Sequence, residues 1–154
     1  MNWDWLFSAA NVWAMLGWAA LILLPRKPFV LSAIFYGVMG LLCLSYAVLL
    51  VLLLGNWIDP GATSEGAAAS FTSIEGVRGI FMSDGGTTVG WIHYLALDLF
   101  AGLWIARDAD AKDFSRLVQA PVLLLTFMAG PAGVALWLLI RERRARKGAR
   151  RMRL

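Results

Sequence analysis

Thr87-Thr88-Val89-Gly90-Trp91-Ile92-His93-Tyr94-Leu95-Ala96-Leu97-Asp98-Leu99-Phe100-Ala101-Gly102-Leu103-Trp104-Ile105-Ala106 is the stretch on which the fold turns. As a helix it covers about 30 Å, the thickness of a bilayer's hydrocarbon. Only His93 and Asp98 interrupt its apolar character before Arg107-Asp108. The runs Trp5 to Pro25, Pro28 to Gly55 and Leu117 to Ile140 contain no charged residue at all. Together the four predict an all-α integral membrane four-helix bundle, with spans at 5–25, 28–55, 87–106 and 117–140. The domain is expected to occupy 1–140, followed by a basic C-terminal tail at 141–154.

The rest of the composition agrees. Of 154 residues, 60% are hydrophobic and 16% charged, and the mean hydropathy is +0.68. Those values exclude an ordinary soluble domain, a disordered chain and a disulfide scaffold. Cys43 stands alone in an apolar run, so no intramolecular disulfide can form.

Charge is unevenly placed. Residues 1–140 hold six basic and nine acidic side chains, whereas the last fourteen residues hold eight basic and one acidic. A basic tail beside an apolar run suits anionic lipid headgroups, and no nucleic-acid partner is expected. Four crossings with the N-terminus inside put Arg78 and the tail, nine cations, in the cytoplasm, against five on the other face. Both termini are therefore expected in the cytoplasm, and the Ala/Arg-rich composition points to a bacterial inner membrane.

Pro25-Arg26-Lys27-Pro28 reads as a tight turn and Arg107 to Arg116 as a short charged connection. The second connection, Asn56 to Gly86, is long. Within it Phe71, Ile74, Val77 and Phe81 recur at helical spacing, which predicts a short helix along the membrane surface. In the last run Pro131 predicts a kink, and Ala129 with Gly133 forms a small-xxx-small pair. Gly37 and Gly40 are read as similar packing positions, and homo-oligomerisation stays open.

Chemistry points to the quoted stretch. Asp98 lies near mid-span, where a carboxylate costs about 2.5–3.5 kcal/mol unless it faces a cavity or a donor. His93 is the single histidine. Around one helix the two are about 140° apart, so each needs a partner from elsewhere in the fold. Glu75 is a second candidate acid if the long connection folds back toward His93. The expected catalytic residues are His93, Asp98 and Glu75, with Trp91, Tyr94 and Trp104 as substrate-binding candidates. The bland readings are interfacial anchors for the tryptophans, helix closure for Arg107 and Asp108, and a packing hydrogen bond for Asp98. One histidine and one cysteine are too few for a metal site. No metal and no cofactor are expected.

Specific motifs then carry a resemblance. Ile74-Glu75-Gly76-Val77, Gly90-Trp91-Ile92-His93-Tyr94-Leu95, Asp98-Leu99-Phe100 and Arg107-Asp108-Ala109 are similar to the plant neoxanthin-synthesis membrane proteins, the abscisic-acid-deficient-four-like family. Pro121, Leu124-Leu125-Thr126-Phe127 and Gly130-Pro131-Ala132-Gly133 resemble its closing motif. The similarity covers about residues 71 to 140, with Ala10-Asn11 agreeing more loosely. Leu97 stands where plant members carry Phe, and Arg116 where a second histidine often opens the last helix; these departures leave the substrate open.

The resemblance implies a four-helix membrane protein connected with converting the epoxy-carotenoid violaxanthin into allenic neoxanthin. It points to Glu75, His93, Tyr94, Asp98, Arg107 and Asp108 as the matching polar positions, and so adds Arg107 and Asp108 to the substrate-binding candidates. A carotenoid isomerase using acid–base chemistry on a lipid-soluble polyene is the first expectation. A non-catalytic polyene-binding or assembly protein is the second, and a small solute or proton carrier built on Asp98 the third.

Overall fold

The computed structural model describes residues 1–59 and 72–151, with side chains described as far as Glu142. Phe71 and the middle of the second connection lie outside the described residues, as do the tail side chains beyond Glu142. No strand occurs among the described residues.

Three helices are long and apolar enough to cross a membrane: α1 (Trp3–Leu23), α2 (Pro28–Leu54) and α4 (Asp84–Ala111). The short α3 (Ile74–Phe81) precedes α4, and α5 (Arg116–Met128) and α6 (Gly130–Arg151) complete the chain. Many large apolar side chains on the long helices point outward, including Leu16, Leu44, Val51, Leu97 and Phe100. An exposed apolar mantle of this kind needs lipid rather than water around it.

Two compact units are built from these helices, residues 1–16 with 36–96 and residues 17–35 with 97–154. In the first, Ala10 and Ala14 of α1, Leu42, Leu49 and Leu53 of α2, and Val89, Ile92 and Ala96 of α4 form one buried cluster. The spacings are those of one helix face each, and the alanines let the backbones approach. A π-helical stretch, Ala33–Met39, interrupts α2. There the Gly37 carbonyl accepts the Trp13 indole N–H at 3.2 Å. A Cβ on Gly37 would meet open space. This glycine is thus not the close-packing position the sequence suggests.

The short helix α3 forms as its periodicity predicts, with Ser73 Oγ accepting the Gly76 N–H at 3.0 Å. Ile74, Val77 and Phe81 remain exposed, an open apolar face suited to lying on a membrane. At the start of α4 the Asp59 carboxylate accepts the Gly85 N–H at 3.0 Å, a helix N-terminal contact favoured by the macrodipole.

In the second unit the sequence expectation needs correcting. The run 117–140 is not one helix. Pro131 has no N–H and its ring would strike the carbonyl of Phe127, so a continuous helix is broken here. Ala129 leaves the helical region, at φ −157° and ψ 78°. Its N–H closes α5 on the Leu125 carbonyl, and its own carbonyl opens α6 by accepting from Ala132 and Gly133.

The chain reverses at this point. Near the start of α5, Gln119 donates to Asp110 of α4 at 3.0 Å. At the turn, the Gly130 N–H bonds to the Asp98 carboxylate, and a Cβ on Gly133 would run into Thr126. On the way back, the Trp137 indole reaches Asp108 at 3.0 Å and Arg141 pairs with the same carboxylate at 3.1 Å. The pair α5–α6 is thus a helical hairpin that starts and ends beside the C-terminal end of α4. Two boundaries also move. Arg107-Asp108 does not end α4, which continues to Ala111, and α6 passes residue 140 without a break.

Candidate functional site

Polar side chains at the C-terminal end of α4 form a dense network. The Arg26 guanidinium, 3% exposed, pairs with Asp110 at 2.8 Å, donates to the carbonyls of Ala106 and Leu21 and bonds to Gln119. Burial lowers its pKa, while the Asp110 carboxylate works in the opposite direction. An arginine this basic stays charged, so its role is to tie the α1–α2 turn to α4 and α5. Asp108 is likewise taken up by Lys112 at 2.6 Å, Trp137 and Arg141. Arg141 also lies over the Trp104 ring, 5.7 Å from its centroid. Arg107 is exposed beside this network.

Asp98 lies ten residues before Asp108, about 15 Å along α4. It is part-buried, and its partner is the backbone N–H of Gly130. Gly130 admits no side chain, because a Cβ would fall on the carboxylate itself.

The other candidates lie in the first unit. Trp91 stacks on Phe7 at 5.7 Å and on Tyr94 at 6.3 Å. Its indole N–H donates to Asn11 Oδ1 at 3.0 Å, and Asn11 is anchored through its amide to the Phe7 carbonyl at 2.8 Å. The three rings form a ladder that stays open on one side, with Phe7, Trp91 and Tyr94 exposed by 36%, 41% and 57%. His93 is exposed beside them in sequence and rests against Tyr46 of α2, ring centroids 5.1 Å apart.

Sequence reasoning missed Tyr46. The available signal was the single aromatic residue, with its hydroxyl, in the run Gly40–Leu54. Glu75 is exposed on the first turn of α3, and among the described residues no hydrogen bond or ion pair joins it to His93. The same helix borders an apolar concavity of about 570 Å³ lined in part by Ile74, Val77, Phe81 and Met82.

His93 and Asp98 therefore find different partners, Tyr46 and Gly130, as their angular separation on one helix requires. Glu75, Trp91, His93 and Tyr94 belong to the first unit, and Asp98, Trp104, Arg107 and Asp108 to the second. Among the described residues no three His, Cys, Asp or Glu side chains could hold a metal ion.

Helices alone among the described elements, three of them long and apolar enough to cross a membrane, define a helical membrane protein. It belongs to the ABA DEFICIENT 4-like family, whose model matches residues 5–137, and at the level of the family it is a neoxanthin-synthesis-like membrane protein. Among curated proteins and solved structures, nothing matches the chain.

Proposed function

We propose that this protein binds an extended, lipid-soluble polyene and isomerises an epoxide on its end group. The Phe7–Trp91–Tyr94 ladder, in a chain of this family, is the observation that carries the reading. Flat conjugated hydrocarbon stacks well on aromatic faces, and Asn11 fixes the central indole for that purpose. Trp104 already has Arg141 over its ring, and Asp108 is held by three donors. This favours the ladder over those residues and the neighbouring Arg107 as the polyene's seat.

Opening an epoxide to an allene conserves atoms and electrons. An acid delivers a proton to the epoxide oxygen as its C–O bond breaks, and a base removes a proton from the adjacent polyene carbon. The products are a hydroxyl and an allene. His93, next to Tyr94 in sequence, is the proposed base, and a carboxyl, Asp98 or Glu75, the proposed acid. Exclusion of water by the bilayer protects the cationic intermediate. Anionic headgroups are the proposed contact of the basic C-terminal segment.

The test is conversion in membranes supplied with violaxanthin, read as the appearance of the allenic product by chromatography and absorbance. Wild-type protein is expected to form it. His93→Ala, at equal expression, is expected to form none; retention of full conversion would remove the mechanism. A second reading, a non-catalytic polyene carrier, is favoured by the separate surroundings of His93 and Asp98. Under it, unaltered pigment co-purifies with wild type and His93→Ala alike.

A further inference from the structure

The α5–α6 hairpin returns to the end of α4 from which it starts. Its first limb, α5, has 13 residues, about 20 Å of helix, too short for a 30 Å crossing. Its tip sits beside Asp98, about 15 Å along α4 from Asp108 and so about half the hydrocarbon depth.

Broken backbone at that depth is tolerated only if its polar groups are bonded within the protein. Here they are. The Ala129 N–H and carbonyl close the two helices, and the Gly130 N–H, left over at the new helix start, is taken by Asp98. Pro131 brings no N–H that would need a partner.

We infer that the last apolar run is re-entrant, entering and leaving the bilayer by one face. The chain then crosses three times, so that its N-terminus is outside and its basic C-terminal segment is cytoplasmic. Three crossings put Arg26, Lys27, Arg107, Lys112, Arg116 and the eight C-terminal cations on one side, thirteen of the chain's fourteen, and only Arg78 on the other. With four crossings the split is nine against five. The positive-inside bias is therefore far stronger for the re-entrant arrangement, and it places the basic side in the cytoplasm.

Full-length chain with Cys43→Ser, carrying one new cysteine at Asn2, at Lys112 or appended after Leu154, decides the question. A membrane-impermeant maleimide is applied to bacterial spheroplasts before and after permeabilisation. The Asn2 cysteine is expected to react at once, and the Lys112 and C-terminal cysteines only after permeabilisation. A C-terminal cysteine reacting together with Asn2 and apart from Lys112 would overturn the re-entrant hairpin. Lys112 and the C-terminus labelled together from outside would overturn the assigned sidedness. A C-terminal green fluorescent protein fusion, which leaves every residue native, is expected to fluoresce; a dark fusion that is active as alkaline phosphatase in the same position would likewise overturn the sidedness.

Discussion

The Asp98 carboxylate accepts the backbone N–H of Gly130, and this bond holds the turn of the last apolar run against the middle of α4. A carboxylate at a helix start meets the positive end of the macrodipole and a donor that has no partner within its own helix. The acid proposed for catalysis thus also has a structural duty, and the two can be separated.

Asp98→Asn keeps a side-chain oxygen that can accept from Gly130 but cannot deliver a carboxyl proton. Asp98→Ala keeps neither. If Asp98 is the acid, Asn abolishes conversion with little change in stability. Ala is expected to cost about 0.5–1.5 kcal/mol as well, the range for a hydrogen bond between uncharged groups. Thermal unfolding in detergent beside product formation in membranes reads both.

Gly130→Ala drives a methyl group into the Asp98 carboxylate, so one of the two must move. A loss of about 1–3 kcal/mol is expected, typical of overpacking. Pairing it with Asp98→Ala, which frees the space, should give a double variant less destabilised than the sum of the singles. Strict additivity would show that the two residues do not meet.

Trp91→Ala removes the centre of the aromatic ladder and two ring contacts of about 0.5–1.5 kcal/mol each. Polyene binding, followed by the shift of its visible absorbance, is expected to weaken roughly 2–13-fold, the loss of one ligand stacking contact of about 0.5–1.5 kcal/mol expressed as an affinity. Trp91→Phe keeps a stacking face and loses only the bond to Asn11, so its affinity should lie between. Unchanged binding in Trp91→Ala would place the ligand elsewhere.

Arg26→Met leaves Asp110 and Gln119 facing an apolar chain where a guanidinium had served both. About 1–3 kcal/mol of stability is expected to go, the cost of stranding polar groups. Arg26→Lys should recover only part of it, since one ammonium cannot reproduce the planar fork that reaches Asp110, Gln119 and two carbonyls. Melting curves at fixed detergent and salt compare the three proteins.

The apolar runs, the short α3 helix and the family were legible in the sequence, because run length, 3.6-residue periodicity and local motifs are properties of neighbouring residues. So was the separation of His93 from Asp98, which follows from the pitch of one helix. Tyr46 beside His93 was not legible, being 47 positions away in the chain. Nor was the partner of Trp91, since Asn11 lies on another helix.

Sequence by itself determined that this chain is helical, that it needs lipid around it and that Pro131 must disturb the last apolar run, because hydropathy and the missing proline N–H act locally. Only the tertiary structure decided that the disturbance is a reversal and not a kink. A single helix carries no instruction about where its broken end points; that was set by Asp98 taking the Gly130 N–H at one end of the hairpin, and by Asp108 and Asp110 drawing in Trp137, Arg141 and Gln119 at the other.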